Sequence, residues 1–417
     1  MQTDMRTALC GMKVGGNDML ITVLLMFIYL AFISMGLPDS LLGSTWPAMY
    51  GQMGVPISYA GVLSMIISAG TIVSSFFSDR LLRRFGTGVL TAGSVCLTAA
   101  ALLGFSYGTH FAVFCLWAVP LGLGAGSVDA ALNNFVALHY EAKHMNWLHC
   151  FWGIGATAGP VLLSFWLAHG YTWVMGYRTV GFVQLGLGVI LFGILPLWKR
   201  VEQASGEGKE AVVESCAEKT EQPVCLRSLL KLPGVCAVLV AFFCYYGVEM
   251  TLGLWSSSYL VLCRGVSAAA AAGLVSLFYV GITAGRLTAG FLSGHFEERQ
   301  MIRAGQIVLA MGVLCAVAGD GEGMLKAAFL VMGAGCAPIY PGLLHETPGN
   351  FGKANSQAVM GIQMAAAYAG TTCMPPLFGV LGGRLGYQLF PFYVAGLLCL
   401  LIFMVETVHK RVSTIPR

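Results

Sequence analysis

Charge is what this 417-residue chain lacks. Asp, Glu, Lys and Arg together make up 10% of it, hydrophobic residues make up 57%, and the mean hydropathy is +0.76. A soluble domain typically carries about 25% charged residues. A chain this apolar has too few polar groups to cover a water-facing surface, which excludes a soluble globule and leaves lipid around most side chains. Cysteine pairing is missing too. The 13 Cys are scattered, with no CxxC and no metal-like Cys/His spacing. They read as small apolar core residues of a disulfide-poor compartment, so no metal or cofactor is expected. Neither a nucleotide loop, nor zinc spacing, nor a nucleophile elbow appears, which argues against an enzyme. A cleavable signal peptide is not expected either, because the first apolar run is too long and continues as a spanning helix. The formal charge of +4 does not imply nucleic acid, since the basic residues flank apolar runs.

What is present in abundance is apolar sequence in long continuous runs. A helix needs roughly 20 apolar residues to cross the hydrocarbon core. Runs of that length lie near 19–45, 57–78, 87–107, 110–138, 146–168 and 177–198, and again near 234–262, 268–293, 301–318, 324–344, 355–381 and 389–408. They are continuous rather than alternating, so helices and not a closed barrel are expected. The 54 Gly suit helices that pack closely in lipid. The expected fold is an all-α membrane protein of twelve transmembrane helices in two six-helix pseudo-symmetric halves, 1–198 and 232–417. A polar linker at 199–231, rich in Glu, Lys, Ser and Gly, joins them.

Lys and Arg set the orientation. With the N-terminus inside, 18 of the 23 basic residues fall in inner segments and 4 in outer ones, and Arg286 falls in or near the end of a span. Both termini are therefore expected on the cytoplasmic side of a cell inner membrane. Weak echoes at one spacing suggest an internal repeat. Gly61-Val-Leu-Ser64 matches Gly273-Leu-Val-Ser276 at offset 212, Gly122 and Gly124 match Gly333 and Gly335 at 211, and Gly155 with Pro160 matches Gly370 with Pro375 at 215. Two parallel halves with a site between them are the architecture of alternating-access carriers.

Ionisable residues inside spans are the informative ones, because a central Asp costs about 2.5–3.5 kcal/mol on insertion scales. They are Asp39 in GLPDSLLG, Asp129 in GLGAGSVDAALNN, His149, and Glu249 in YYGVEMTLGLW. Each has a bland reading beside the functional one. Asp39 sits near a Gly36/Pro38 helix break it could cap, Asp129 could make a structural hydrogen bond, Glu249 could brace neighbouring helices, and His149 could satisfy a packing contact. The functional reading is cation coupling, since a carboxyl taken out of water favours its neutral form and can load a proton or sodium ion on one side and release it on the other. Trp46, Tyr246, Trp255, Tyr259 and Tyr340 fall near these acids in sequence or by the repeat. They are packing aromatics or platforms for the apolar faces of a sugar ring, with Gln363 among the polar groups able to meet its hydroxyls.

The chain resembles the major facilitator superfamily over nearly its whole length. Ser75-Phe-Phe-Ser-Asp79-Arg80-Leu-Leu-Arg83-Arg84 resembles that superfamily's loop signature between its second and third helices, with Ser75 and Leu82 in place of glycines. The resemblance implies that Asp79, Arg80, Arg83 and Arg84 form a conformational latch at the cytoplasmic face. Within the superfamily the chain looks like the fucose–proton symporters and the related sodium-dependent glucose transporters. Gly36-Leu-Pro-Asp39 resembles their first-helix segment with the coupling Asp. Gly124-Ala-Gly-Ser-Val-Asp129-Ala-Ala-Leu-Asn133 resembles a fourth-helix segment, with Asp129 where the symporter has Glu. Asn146-Trp-Leu-His149-Cys-Phe151 resembles a sugar-contact segment of the fifth helix, and Tyr246-Gly-Val-Glu249 with Trp255 and Tyr259 resembles the seventh.

The resemblance implies a monomeric symporter of a monosaccharide or similar polar solute with a proton or sodium ion. Asp39, Asp129 and Glu249 would couple, and Asn133, Asn146, His149, Tyr246, Trp255, Tyr259, Tyr340 and Gln363 would bind. Two alternatives stay open: an exporter of amphiphilic compounds, for which the 20 Met would line an adaptable cavity, and a non-transporting membrane receptor or scaffold.

Overall fold

A computed structural model describes residues 2–140, 142–206, 226–293, 295–319 and 321–412, without the side chains of 2–19, 142–143, 146, 202–206, 226–227 and 353–354. Among the described residues the chain is helical from end to end and contains no strand. The first half comprises α1 (Gln2–Asp39), α2 (Leu41–Met49), α3 (Ala60–Phe85), α4 (Thr87–Tyr107), α5 (Phe111–His139), α6 (Ala142–Ala168), α7 (Trp173–Gly193) and α8 (Leu195–Gly206). The second comprises α9 (Val235–Arg264), α10 (Ala268–Leu292), α11 (Glu298–Ala318), α12 (Glu322–Cys336), α13 (Ile339–His345), α14 (Lys353–Leu385) and α15 (Phe390–Val412). The central part of the linker, 207–225, lies outside the described residues.

Eleven helical segments among the described residues are long and apolar enough to span a bilayer, and two of them, Leu20–Met49 and Glu322–Phe351, run through consecutive α-helices. The twelfth helix of the bundle, α14, has the length at 33 residues but is more polar, carrying Asn355, Ser356, Gln357, Gln363, Thr371 and Thr372. The expected spans match the helices closely, though the second runs on to Phe85 and the tenth to Phe351, and the sixth is displaced. The sixth begins at Trp173 and ends at Gly193, not at 177 and 198. Gly193 and Pro196 interrupt the run there, and α8 starts afresh.

The repeat appears in the packing itself. A Cβ on Gly155 of α6 would run into the Ile33 carbonyl oxygen of α1, and a Cβ on Gly370 of α14 would run into the Phe243 carbonyl oxygen of α9. Gly122 of α5 meets the Ile67 carbonyl of α3 as Gly333 of α12 meets the Phe278 carbonyl of α10. The contacted carbonyls are 210 and 211 residues apart, close to the 215 and 211 that separate the glycines themselves. Only a residue without a side chain lets two helix backbones approach this closely.

The halves meet at one end. Gly61 of α3 packs on Pro376 of α14, and its counterpart Gly273 of α10 packs on Ser164 of α6. The Ser164 hydroxyl donates to the Ala269 carbonyl at 2.8 Å, and the Ser257 hydroxyl to the Ser44 carbonyl at 3.3 Å. One apolar core runs across this seam, from Trp46, Leu63 and Phe105 to Trp255, Phe278 and Phe378. At the opposite end, which bears the Asp79–Arg84 cluster, the first half has a separate core of Leu24, Ile28, Phe32, Val95, Phe135 and Trp198. Phe76 and Phe291 are exposed there.

Candidate functional site

The site begins where α1 stops. Pro38 lies one residue before the end of α1 at Asp39, Ser40 forms a turn, and α2 continues the same span. Asp39 therefore lies within the 20–49 span, yet its carboxylate is exposed while Pro38 and Ser40 beside it are buried. An exposed acid at that depth faces open space between the halves. Gly36, one turn earlier, lets the α6 backbone at Trp152 come against α1. That approach brings the Trp152 indole N–H to Asp39 Oδ2, to which it donates at 2.7 Å.

The other face of the site is built on the second half. The Arg286 guanidinium of α10 lies over the Trp152 ring, 5.4 Å from its centre. Its Nη2 stands 3.7 Å from Glu249 Oε1 of α9, and the side chains are 14% and 4% exposed. A buried carboxylate needs such a partner. Beside the guanidinium, the Tyr245 hydroxyl of α9 donates to the Cys336 carbonyl at 3.1 Å. Tyr279 packs edge-on to Trp152.

Asp129, half-buried on α5, accepts the side-chain amide of Asn133 one turn later at 2.8 Å. Asp39, Tyr340 and Tyr368 are charged or titratable groups near it. His149 is half-buried, edge-on to Phe32, and within the field of Arg286. Tyr246 and Tyr340 stack edge to face at 5.5 Å, and the Tyr340 hydroxyl reaches the Met364 sulfur at 3.6 Å. Asp39, Asp129, Asn133, His149, Tyr246, Glu249 and Tyr340 thus gather about the middle of the bundle. The side chain of Asn146 lies outside the described residues.

The remaining predicted residues lie elsewhere. Trp255 is fully buried with its indole donor committed to the Pro375 carbonyl at 2.8 Å, and it packs on Phe378 and Tyr387. Tyr259 is buried against Phe390 and accepts from Arg264 Nε at 3.0 Å. Gln363 is fully buried and pairs with Thr347 at 3.0 Å. Asp79 pairs with Arg83 on its own helix, while Arg80 and Arg84 lie over the Phe77 and Phe85 rings at 5.9 and 5.4 Å. All four residues of this cluster are exposed at the end of α3.

The family profile described as Major Facilitator Superfamily matches residues 28–273 and 264–412. The chain belongs to the major facilitator superfamily. Members similar to it include Bypass of stop codon protein 6 of Saccharomyces cerevisiae, 24% identical over 86% of this chain and 77% of that one. Sodium-dependent glucose transporter 1A of Mus musculus is 22% identical over 85% and 89%, and the chloramphenicol resistance protein of Streptomyces lividans 26% over 92% and 95%. Among solved structures, the peptide transporter POT in complex with alafosfalin superposes with a TM-score of 0.68 at 13% identity, over 93% of this chain and 94% of that one. This last likeness is one of fold.

Within this superfamily fold, two central residues escaped the sequence reading. Arg286 is the single basic residue that the charge count left inside a span, and three acids in spans with no partner in view were the signal for it. Trp152 had no such marker beyond lying one turn from His149.

Proposed function

We infer that this superfamily member is a symporter that carries a monosaccharide or similar small polar solute with a proton or sodium ion, by alternating access. The observation that carries the reading is the exposed Asp39 in mid-span, facing Asp129 from a second helix and the Arg286–Glu249 pair from the other half. Acids that face an internal space mark ion pathways. The resemblance of the first, fourth and fifth helices to the fucose–proton symporters, and of the seventh to the sodium-dependent glucose transporters, points the same way, as does the glucose transporter relative. Asp39, Asp129 and Glu249 are the coupling acids. Asn133, His149, Tyr246 and Tyr340, with Asn146, are the groups for solute hydroxyls. Trp255, Tyr259 and Gln363 support them from the packed core. Asp79, Arg80, Arg83 and Arg84 form the latch of the alternate conformation, in which the end that bears them closes. In this reading 1–198 and 232–417 move as units about the 199–231 linker, in a cell inner membrane with both termini on the cytoplasmic side, and the monomer suffices.

The test is counterflow in proteoliposomes against a panel of sugars, with and without sodium and with a pH gradient. Asp129→Asn, which mimics the neutral acid, should abolish uphill accumulation and leave exchange intact. Accumulation equal to that of the parent would make Asp129 structural. The chloramphenicol resistance relative favours a second reading, export of amphiphilic compounds. Absence of exchange with every sugar, together with drug efflux from the same vesicles, would select it.

A further inference from the structure

Four side chains from four helices stand in a row through the middle of the molecule: Asp39 of α1, Trp152 of α6, Arg286 of α10 and Glu249 of α9. Each neighbouring pair is held by a different force. Asp39 and Trp152 share a charge-assisted hydrogen bond of 2.7 Å, Arg286 lies over the indole at 5.4 Å, and Arg286 stands 3.7 Å from Glu249. The first two residues belong to one half and the last two to the other, so the Trp152–Arg286 contact crosses the interface. The backbone supports the crossing there, because Gly153 of α6 packs directly on the Thr283 hydroxyl of α10.

The guanidinium lies between two attractors. At 3.7 Å it is too far from Glu249 for a direct hydrogen bond, and the indole face draws it the other way. Groups linked in series polarise one another. An indole whose N–H donates to an ionised carboxylate presents a more electron-rich face, and so a better seat for a cation. Neutralising Asp39 weakens the hydrogen bond and with it the seat.

We propose that Trp152 is a positioning residue that transmits the occupancy of Asp39 by a cation to Arg286 in the opposite half. With Asp39 ionised, the guanidinium rests on the indole; with Asp39 bound to a proton or sodium ion, it moves onto Glu249. The assignment rests on the reading of Asp39 as a coupling acid and gives Glu249 the part of the receiving counter-ion. Other charged or titratable groups face the row. Asp129 of α5 and Tyr279 of α10 face Asp39. Tyr245 and Tyr246 of α9, His149 and Cys150 of α6, and Cys336 and Tyr340 beyond them face Arg286.

The experiment is a titration of the purified full chain with sodium, and separately with protons, in the absence of any solute, read by tryptophan emission and by thermal unfolding. Trp152→Phe keeps an aromatic face and removes the N–H that competes with the cation for Asp39. It should unfold at nearly the parent temperature and half-saturate at about tenfold lower cation concentration, the ratio expected for losing one hydrogen bond to a charged group. Arg286→Lys keeps the charge but loses the flat group that stacks, and should move the midpoint the same way by less. Asp39→Asn should lose the titration. An unmoved midpoint in both Trp152→Phe and Arg286→Lys would overturn the bridge and leave the symport reading standing. A parent that exchanges sugar yet responds to neither cation would overturn the bridge and the coupling together.

Discussion

In the first half of the molecule, Asp39 and Asp129 face the central space with an indole and an amide as their hydrogen-bond donors. In the second half, Glu249 has no such donor but an ion-pair partner, the Arg286 guanidinium at 3.7 Å. The helices that carry them cross in the same way. Ile33 and Gly155 in one half do what Phe243 and Gly370 do in the other, and Ile67 and Gly122 do what Phe278 and Gly333 do. By the same spacings, Asp39 corresponds to Glu249 at offset 210, Asp129 to Tyr340 at 211, and Ser75 to Arg286 at 211. The backbone contacts of the repeat have been kept while the polar groups in the middle have diverged. Close crossings tolerate almost no change, because any added side chain collides with a carbonyl. Cavity-facing positions have room for change, so chemical differences between the halves accumulate there.

Three changes would break or sharpen this comparison. The largest effect is expected from the charge pair that only the second half has. Arg286→Met leaves Glu249 buried and unpaired, which should cost about 3–5 kcal/mol and lower the unfolding temperature of the detergent-purified protein sharply. Adding Glu249→Gln should restore much of the loss, whereas Asp39→Asn alone should leave stability close to that of the parent. If Arg286→Met unfolds normally, the two halves do not differ in the way described.

A middle-sized effect tests what the halves share. Gly155→Ala and Gly370→Ala each force a methyl group against a backbone carbonyl, at an expected cost of about 1–3 kcal/mol. The two losses should be nearly equal, and Gly186→Ala, at a position with open space around it, should cost almost nothing. Unequal losses in thermal unfolding would mean that the crossings are not equivalent.

The smallest effect concerns the proposed latch, whose acid has no counterpart in the second half, since the position 211 residues after Asp79 is Gly290. Asp79 is exposed and paired within its own helix, so Asp79→Asn should leave the fold intact and slow the transport cycle without changing solute affinity. Weakened affinity with a normal rate, measured by counterflow at several solute concentrations, would remove the latch role.

Much of this was legible in the sequence because hydropathy reports lipid contact directly. Eleven of the expected spans appear as apolar membrane-length helical segments, and glycines whose echoes suggested a repeat sit at matching helix crossings. The acids of the site were equally visible, since a carboxylate inside a span is conspicuous. Their partners were not. Trp152 lies 113 residues from Asp39, and Arg286 lies 37 residues from Glu249 on a different helix, so only packing brings them together. The aromatic residues were the hardest to place. Tyr246 and Tyr340 reach the central cluster, while Trp255 and Tyr259 are buried in the core, and an aromatic residue in an apolar run reads the same in either position.

The single apolar core that joins the halves at one end has a thermal consequence. To admit solute from that side, the seam from Trp46 and Leu63 to Trp255 and Phe378 must part and be wetted. Wetting apolar surface raises the heat capacity by about 0.45 cal/K/mol for each Å² exposed. The opposite end, where the cores are already separate, has no such seam to wet. Parting the seam should therefore carry an activation enthalpy that grows with temperature, and where that step limits the cycle, the logarithm of the turnover rate plotted against inverse temperature should curve rather than run straight.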